Sequence, residues 1–110
     1  MQRILRSTDL RYTLTRILQV IGPMTVSDLC AQLADWNFGV EGRPTRVVSD
    51  ALRWEMRRDR VRRRGRGCYG PGCAPSGTAY RIIARVESLR VEAESLRVDG
   101  ESLEGGKDPG

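Results

Sequence analysis

The chain has 110 residues, 39% of them hydrophobic and 30% charged, and its 19 Lys and Arg against 14 Asp and Glu leave a net charge of +5. That length supports one small domain with a modest core. No run of about 18 apolar residues is present, which excludes a membrane-spanning helix, and Met1-Gln2-Arg3-Ile4-Leu5-Arg6 is too short and too charged for a signal peptide, so a cytoplasmic location is expected. There is no histidine, the commonest general base and metal ligand. The three cysteines, Cys30, Cys68 and Cys73, are an odd number without a secretory signal, so a disulfide framework is not expected. No carboxylate pair or nucleophile constellation stands out. The glycines of GRGCYGPG lack the Lys-Ser/Thr and the following helix of a phosphate loop. The chain is therefore not expected to be an enzyme, and no catalytic residue, metal or cofactor is assigned.

The charge is unevenly spread. Residues 1 to 86 carry 16 arginines against 7 acids, a net of +9, whereas residues 87 to 110 carry 3 basic residues against 7 acids, a net of −4. A basic body with an acidic tail suits a polyanionic partner.

In chain order, Ser7, Thr8 and Asp9 suit a helix start. Leu10, Leu14, Ile17, Leu18 and Ile21 follow at the spacing of one apolar helix face, and Gly22-Pro23 ends it. Met24-Thr25-Val26 is short enough for one small strand. Thr25 also forms a capping box with Asp28, opening a second helix from Val26 to Trp36 that buries Val26, Leu29, Cys30 and Leu33. Residues 37 to 43, with two glycines, read as a loop. Pro44 suits the first turn of a third helix, in which Val48, Ala51, Leu52 and Met56 form the apolar stripe. Arg46, Ser49, Asp50, Arg53 and Arg57 share another face, at offsets of 3, 4, 7 and 11. Residues 53 to 66 hold eight arginines against Glu55 and Asp59. After Asp59 the period changes, and Arg60 to Arg64 read as a strand. Residues 65 to 78 read as a Gly-rich tip, and Ala79 to Val86 as a returning strand with Tyr80, Ile82, Ala84 and Val86 on one side. Together these make an arginine-lined hairpin. The remainder repeats ESLRVEA, ESLRVDG, ESLEGGK from Glu87, Glu94 and Glu101. Its composition predicts a disordered or frayed tail, while Val86, Leu89, Ala93 and Leu96 leave open a helix that packs or pairs.

Val48-Ser49-x-x-Leu52 leading to Asp59-Arg60-Val61 and an arginine hairpin resembles the winged helix-turn-helix superfamily of DNA-binding domains. More loosely, the SDALRWE and GRG-x-YGPG stretches resemble small basic winged-helix proteins of GC-rich bacteria. The resemblance spans about residues 9 to 86, leaving 1 to 8 as an arm and 87 to 110 as a tail. Two positions depart from the family pattern: Glu55 stands where many relatives keep a leucine, and Asp59 replaces a turn glycine. The implied fold is α+β and mainly helical: three helices and a C-terminal two-strand wing.

The implied partner is double-stranded DNA, with the third helix in the major groove, and the implied role is a small transcriptional regulator or nucleoid-associated factor. Thr45, Arg46, Ser49, Asp50, Arg53 and Arg57 carry over as groove-facing residues. Arg62, Arg63, Arg64 and Arg66 carry over as wing contacts, and Tyr69 at the tip as a stacking or phosphate-bonding group. Arg46, Ser49 and Arg53 are the expected base readers. Asp50 is expected to pair with Arg46 or Arg53, the alternative being acceptance from a cytosine amine. The same arginines would serve RNA, and winged helices also act as docking modules without DNA. A homodimer through the first helix or the tail stays open. Trp36 and Trp54 are expected in core or edge packing, and Cys68 and Cys73 as exposed thiols or as a bridge across the wing tip.

Overall fold

The computed structural model describes the backbone of residues 1–105 and the side chains of residues 1–97. In chain order come β1 (Arg3–Leu5), α1 (Ser7–Ile21), β2 (Met24–Thr25), α2 (Val26–Asp35), β3 (Phe38–Val40), α3 (Pro44–Arg57), β4 (Val61–Gly65), β5 (Cys68–Pro71) and α4 (Ser76–Gly105). The fold is α+β and mainly helical. Its core joins Leu10, Leu14, Ile17 and Leu18 of α1, Leu29 and Leu33 of α2, Val48 and Leu52 of α3, Val61 of β4 and Leu89 and Ala93 of α4.

The first three helices follow the apolar spacing. Ile21, at the end of the α1 stripe, is exposed instead. Thr13 and Thr15, both buried, donate their hydroxyls to the carbonyls of Asp9 (2.8 Å) and Arg11 (2.9 Å), so neither is left unpaired. The Ser7-Thr8-Asp9 cluster makes no cap: Arg6 is the N-cap residue, without a side-chain bond. Asp9 instead accepts two hydrogen bonds from Arg85 of α4. The Thr25–Asp28 capping box at α2 forms as expected.

The hairpin lies elsewhere than the alternation of residues 79 to 86 suggests. That segment is the start of α4. Ile82, Val86, Leu89 and Ala93 are buried at helical spacing, while Tyr80, the first residue of the supposed strand face, is 74% exposed. The second hairpin strand is β5, inside the stretch read as a Gly-rich tip. β5 is central in an antiparallel sheet of order β2-β5-β4, with Met24 and Arg63 both opposite Tyr69. Arg66-Gly67 makes the turn, with Gly67 at φ +67°. Gly72 lets the backbones close: its N–H donates to the Arg60 carbonyl (2.9 Å) and that of Cys73 to Asp59 (2.8 Å). A Cβ at Gly72 would collide with the Asp59 carbonyl.

Two further elements lie outside the sequence-based expectation. The N-terminal arm contains β1, which pairs in parallel with β3 in the segment read as a loop, Leu5 opposite Val40 and Arg3 opposite Phe38. The boundary drawn at residue 86 falls inside α4, which runs unbroken past Glu87. Asn37 ties the three regions together. It takes φ +65°, and its amide donates to the carbonyls of Met1 and Ala93, both at 2.8 Å. Arg3 pairs with Glu92 at 2.7 Å. Residues 106–110, the end of the expected tail, lie outside the described residues.

Candidate functional site

Helix α3 opens with Pro44 in its first turn and buries Val48, Ala51, Leu52 and Glu55. The face opposite this stripe carries Arg46, Asp50, Arg53 and Arg57, all exposed, with Ser49 half-buried beside them and Thr45 exposed at the start. Asp50 organises it. Arg53 donates to the Asp50 carboxylate at 3.4 Å and Arg46 stands 4.0 Å from it, the i+3 and i−4 neighbours of one acid. Structural pairing is thus the role seen for Asp50. Both guanidinium groups remain well exposed, at 64% and 80%. Such surface pairs are worth about 0–1 kcal/mol, so a stronger anion can take either arginine.

The exit from α3 fixes where the hairpin begins. The Asp59 N–H donates to the Met56 carbonyl (3.0 Å) and the Arg60 N–H to the Glu55 carbonyl (3.1 Å), the paired bonds of a Schellman end. Asp59 occupies the left-handed position at φ +62°, where glycine is usual. Its carboxylate accepts two bonds from Arg62, at 3.0 and 2.9 Å. These bonds, and then the charge behind them, hold the Asp59 carboxyl below the usual carboxylate range.

Of the eight arginines from 53 to 66, one turns inward. Glu55 is fully buried, and Arg60 engages both its oxygens, one at 2.9 Å, with Arg11 of α1 at 3.5 Å on the other side. Glu55, Arg60 and Arg11 thus form an ion triad linking α1, α3 and the residue that leads into β4.

On the hairpin Arg62, Arg63, Arg64 and Arg66 are all exposed. Arg63 lies over the Tyr69 ring at 5.8 Å, and Arg64 donates to the Pro71 carbonyl at 2.9 Å. Tyr69 is not at the tip. It sits in mid-strand, half-buried and packed on the core, and the tip residue is Arg66. Cys68 and Cys73 lie at the start of β5 and just beyond its end. Both are free thiols, and the three strand steps from Cys68 to Pro71 alone span about 10 Å. No bridge joins them across the tip in this structure.

Trp54 and Arg58 belong to this surface and are missing from the sequence-based assignment. Trp54 keeps 39% of its surface exposed. Its ring faces α1, with Arg11 at 4.9 Å, Arg58 at 5.3 Å and Arg57 at 6.0 Å from the centroid. The signal was present in the spacing, because residues three and four after Trp54 lie on its side of the helix. Trp36 is covered by Arg90 at 3.9 Å. Among the described residues no group of three or more Cys, Asp and Glu gathers as metal ligands, and no helix is long and apolar enough to cross a membrane. No family model, curated protein or solved structure matches this chain.

Proposed function

We propose that the chain is a winged helix-turn-helix domain that binds duplex DNA, with α3 in the major groove and the β4–β5 hairpin along the backbone. The order α1-β2-α2-β3-α3-β4-β5, with β3 paired to β1 rather than to the wing, and the sheet order β2-β5-β4 support the fold reading. The observation that carries the function is the supply of uncompensated arginine on one continuous stretch. Arg43, Arg57, Arg58, Arg63, Arg64 and Arg66 make no ion pair among the described residues. A helix about 10–12 Å across fits a groove about 12 Å wide. Arg46, Ser49 and Arg53 are then the base readers, and Arg62, Arg63, Arg64 and Arg66 neutralise phosphates. Tyr69 serves as the platform for Arg63. A small transcriptional regulator or a nucleoid-associated factor fits this chemistry.

The reading is tested by competition against a labelled mixed-sequence duplex. Unlabelled duplex DNA is expected to displace it at several-fold lower concentration than a structured RNA of equal length. Stronger displacement by the RNA would make this an RNA-binding module, and no complex even at low salt would leave a protein-docking face.

A further inference from the structure

Of the arginines around Trp54, Arg58 and Arg11 lie off the exposed face that carries Arg46, Asp50, Arg53 and Arg57. Trp54 is one residue on from Arg53, about 100° round the helix axis, on the flank of α3 that faces α1. A cavity of about 210 Å³ is lined by Trp54, Arg57 and Arg58, and a neighbouring one of about 220 Å³ lies between Arg11 and Leu10 of α1 and Val47 and Trp54 of α3. Arg57 and Arg58 have no carboxylate partner among the described residues. Arg11 shares Glu55 with Arg60, and its buried Nε makes no hydrogen bond. Four arginines thus stand against one acid. The Trp54 ring attracts Arg11, Arg57 and Arg58 through its quadrupole but accepts none of their remaining N–H donors in ordinary hydrogen bonds. Mutual repulsion is relieved by an anion with several acceptor oxygens.

The geometry points to Arg57 and Arg58, braced by Trp54 with Arg11 behind them, as a clamp for one backbone phosphodiester of the duplex on the α1 side of α3. This rests on the DNA-binding reading. When a helix nearly fills the major groove, its flanks meet the walls, and the walls are phosphodiester. Their cation–π contacts with the indole, at 6.0 and 5.3 Å from its centroid, restrain the two guanidinium groups before binding, so less freedom is lost when they fork onto phosphate oxygens. Trp54 is a positioning residue.

The test compares binding of the full chain to mixed-sequence duplexes as a function of salt, for wild type, Arg58→Gln, Trp54→Leu, the double variant and a charge-matched Arg81→Gln on the exposed side of α4. Loss of one phosphate contact lowers the log–log salt slope by about 0.9. Arg58→Gln is expected to show that loss, with several-fold weaker binding on every duplex sequence, while Arg81→Gln keeps the wild-type slope. Trp54→Leu weakens binding several-fold alone and adds little once Arg58 is gone. If wild type binds but Arg58→Gln keeps the full slope, or the two substitutions add in full, the clamp is overturned and the DNA reading stands. If wild type binds no duplex at any salt, both fall.

Discussion

Replacing Glu55 with alanine is expected to destabilise the protein by about 3–5 kcal/mol, the range for removing one partner of a buried ion pair. Glu55 is fully buried, and the side chains of Arg60 and Arg11 are only 13% and 22% exposed. Removing the acid strands two guanidinium groups in a site that water reaches poorly and opens a cavity where the carboxylate stood. Most of that loss is the penalty of unpaired charge rather than the worth of the pair. A double Glu55→Leu, Arg60→Leu variant should therefore recover most of it, because it removes both charges and fills the site with apolar side chains, with Arg11 still lying against Trp54. Urea unfolding measures both. A midpoint for Glu55→Ala within the equivalent of about 1 kcal/mol of wild type, the scale of an exposed pair, would mean that the triad does not hold α1, α3 and β4 together.

Truncation after Val86 is expected to abolish cooperative unfolding, whereas truncation after Arg97 should preserve it. The shorter chain loses Leu89 and Ala93, both fully buried against α1 and β1. It also loses the Glu92 pair with Arg3 and the Ala93 carbonyl that anchors Asn37. Deleting one buried leucine side chain costs about 2–5 kcal/mol, against a total of about 5–15 kcal/mol for a typical domain. The loss of about three helix turns between residues 87 and 97 and of the N-terminal ties adds to that. Thermal melting by circular dichroism distinguishes the two chains. A Val86-truncated protein melting within a few degrees of full length would show that α4 beyond that point contributes no core.

Local signals were readable where one element answers to one pattern. Pro44, the Val48-Ala51-Leu52 stripe and the arginine face located α3, and Thr25-x-x-Asp28 located the start of α2. The hairpin was misplaced because residues 80 to 86 satisfy two periods at once. Ile82 and Val86 are two residues from Ala84, as a strand face needs, and also four residues apart, as a helix needs. The decision lies in Leu89 and Ala93, which extend only the helical series. β1 had no local signature: three residues, Arg3 to Leu5, pair with a segment 35 positions away, and that pairing depends on packing. Glu55 broke the apolar stripe in sequence yet joined the core, because its partners Arg60 and Arg11 come from two other elements. The exposed set Arg46, Asp50, Arg53 and Arg57 was legible as a helix face. Trp54 was read as packing although the i+3 and i+4 spacing of Arg57 and Arg58 placed two arginines beside it; the third, Arg11, comes from α1 and depends on tertiary packing.

The most direct measurement for the central claim is fluorescence anisotropy of a labelled duplex with wild type and with an Arg46→Ala, Arg53→Ala double variant, from about 50 to 300 mM salt, a range that exposes counterion release. Wild type should bind with log affinity falling steeply against log salt, by about 0.9 for each phosphate neutralised. The double variant should bind at least tenfold more weakly, since each good base contact is worth about 1–3 kcal/mol and Asp50, losing both partners, is left to repel phosphate. Equal binding by the two proteins would remove α3 from the groove. Absence of binding at the lowest salt would contradict the DNA-binding account as a whole.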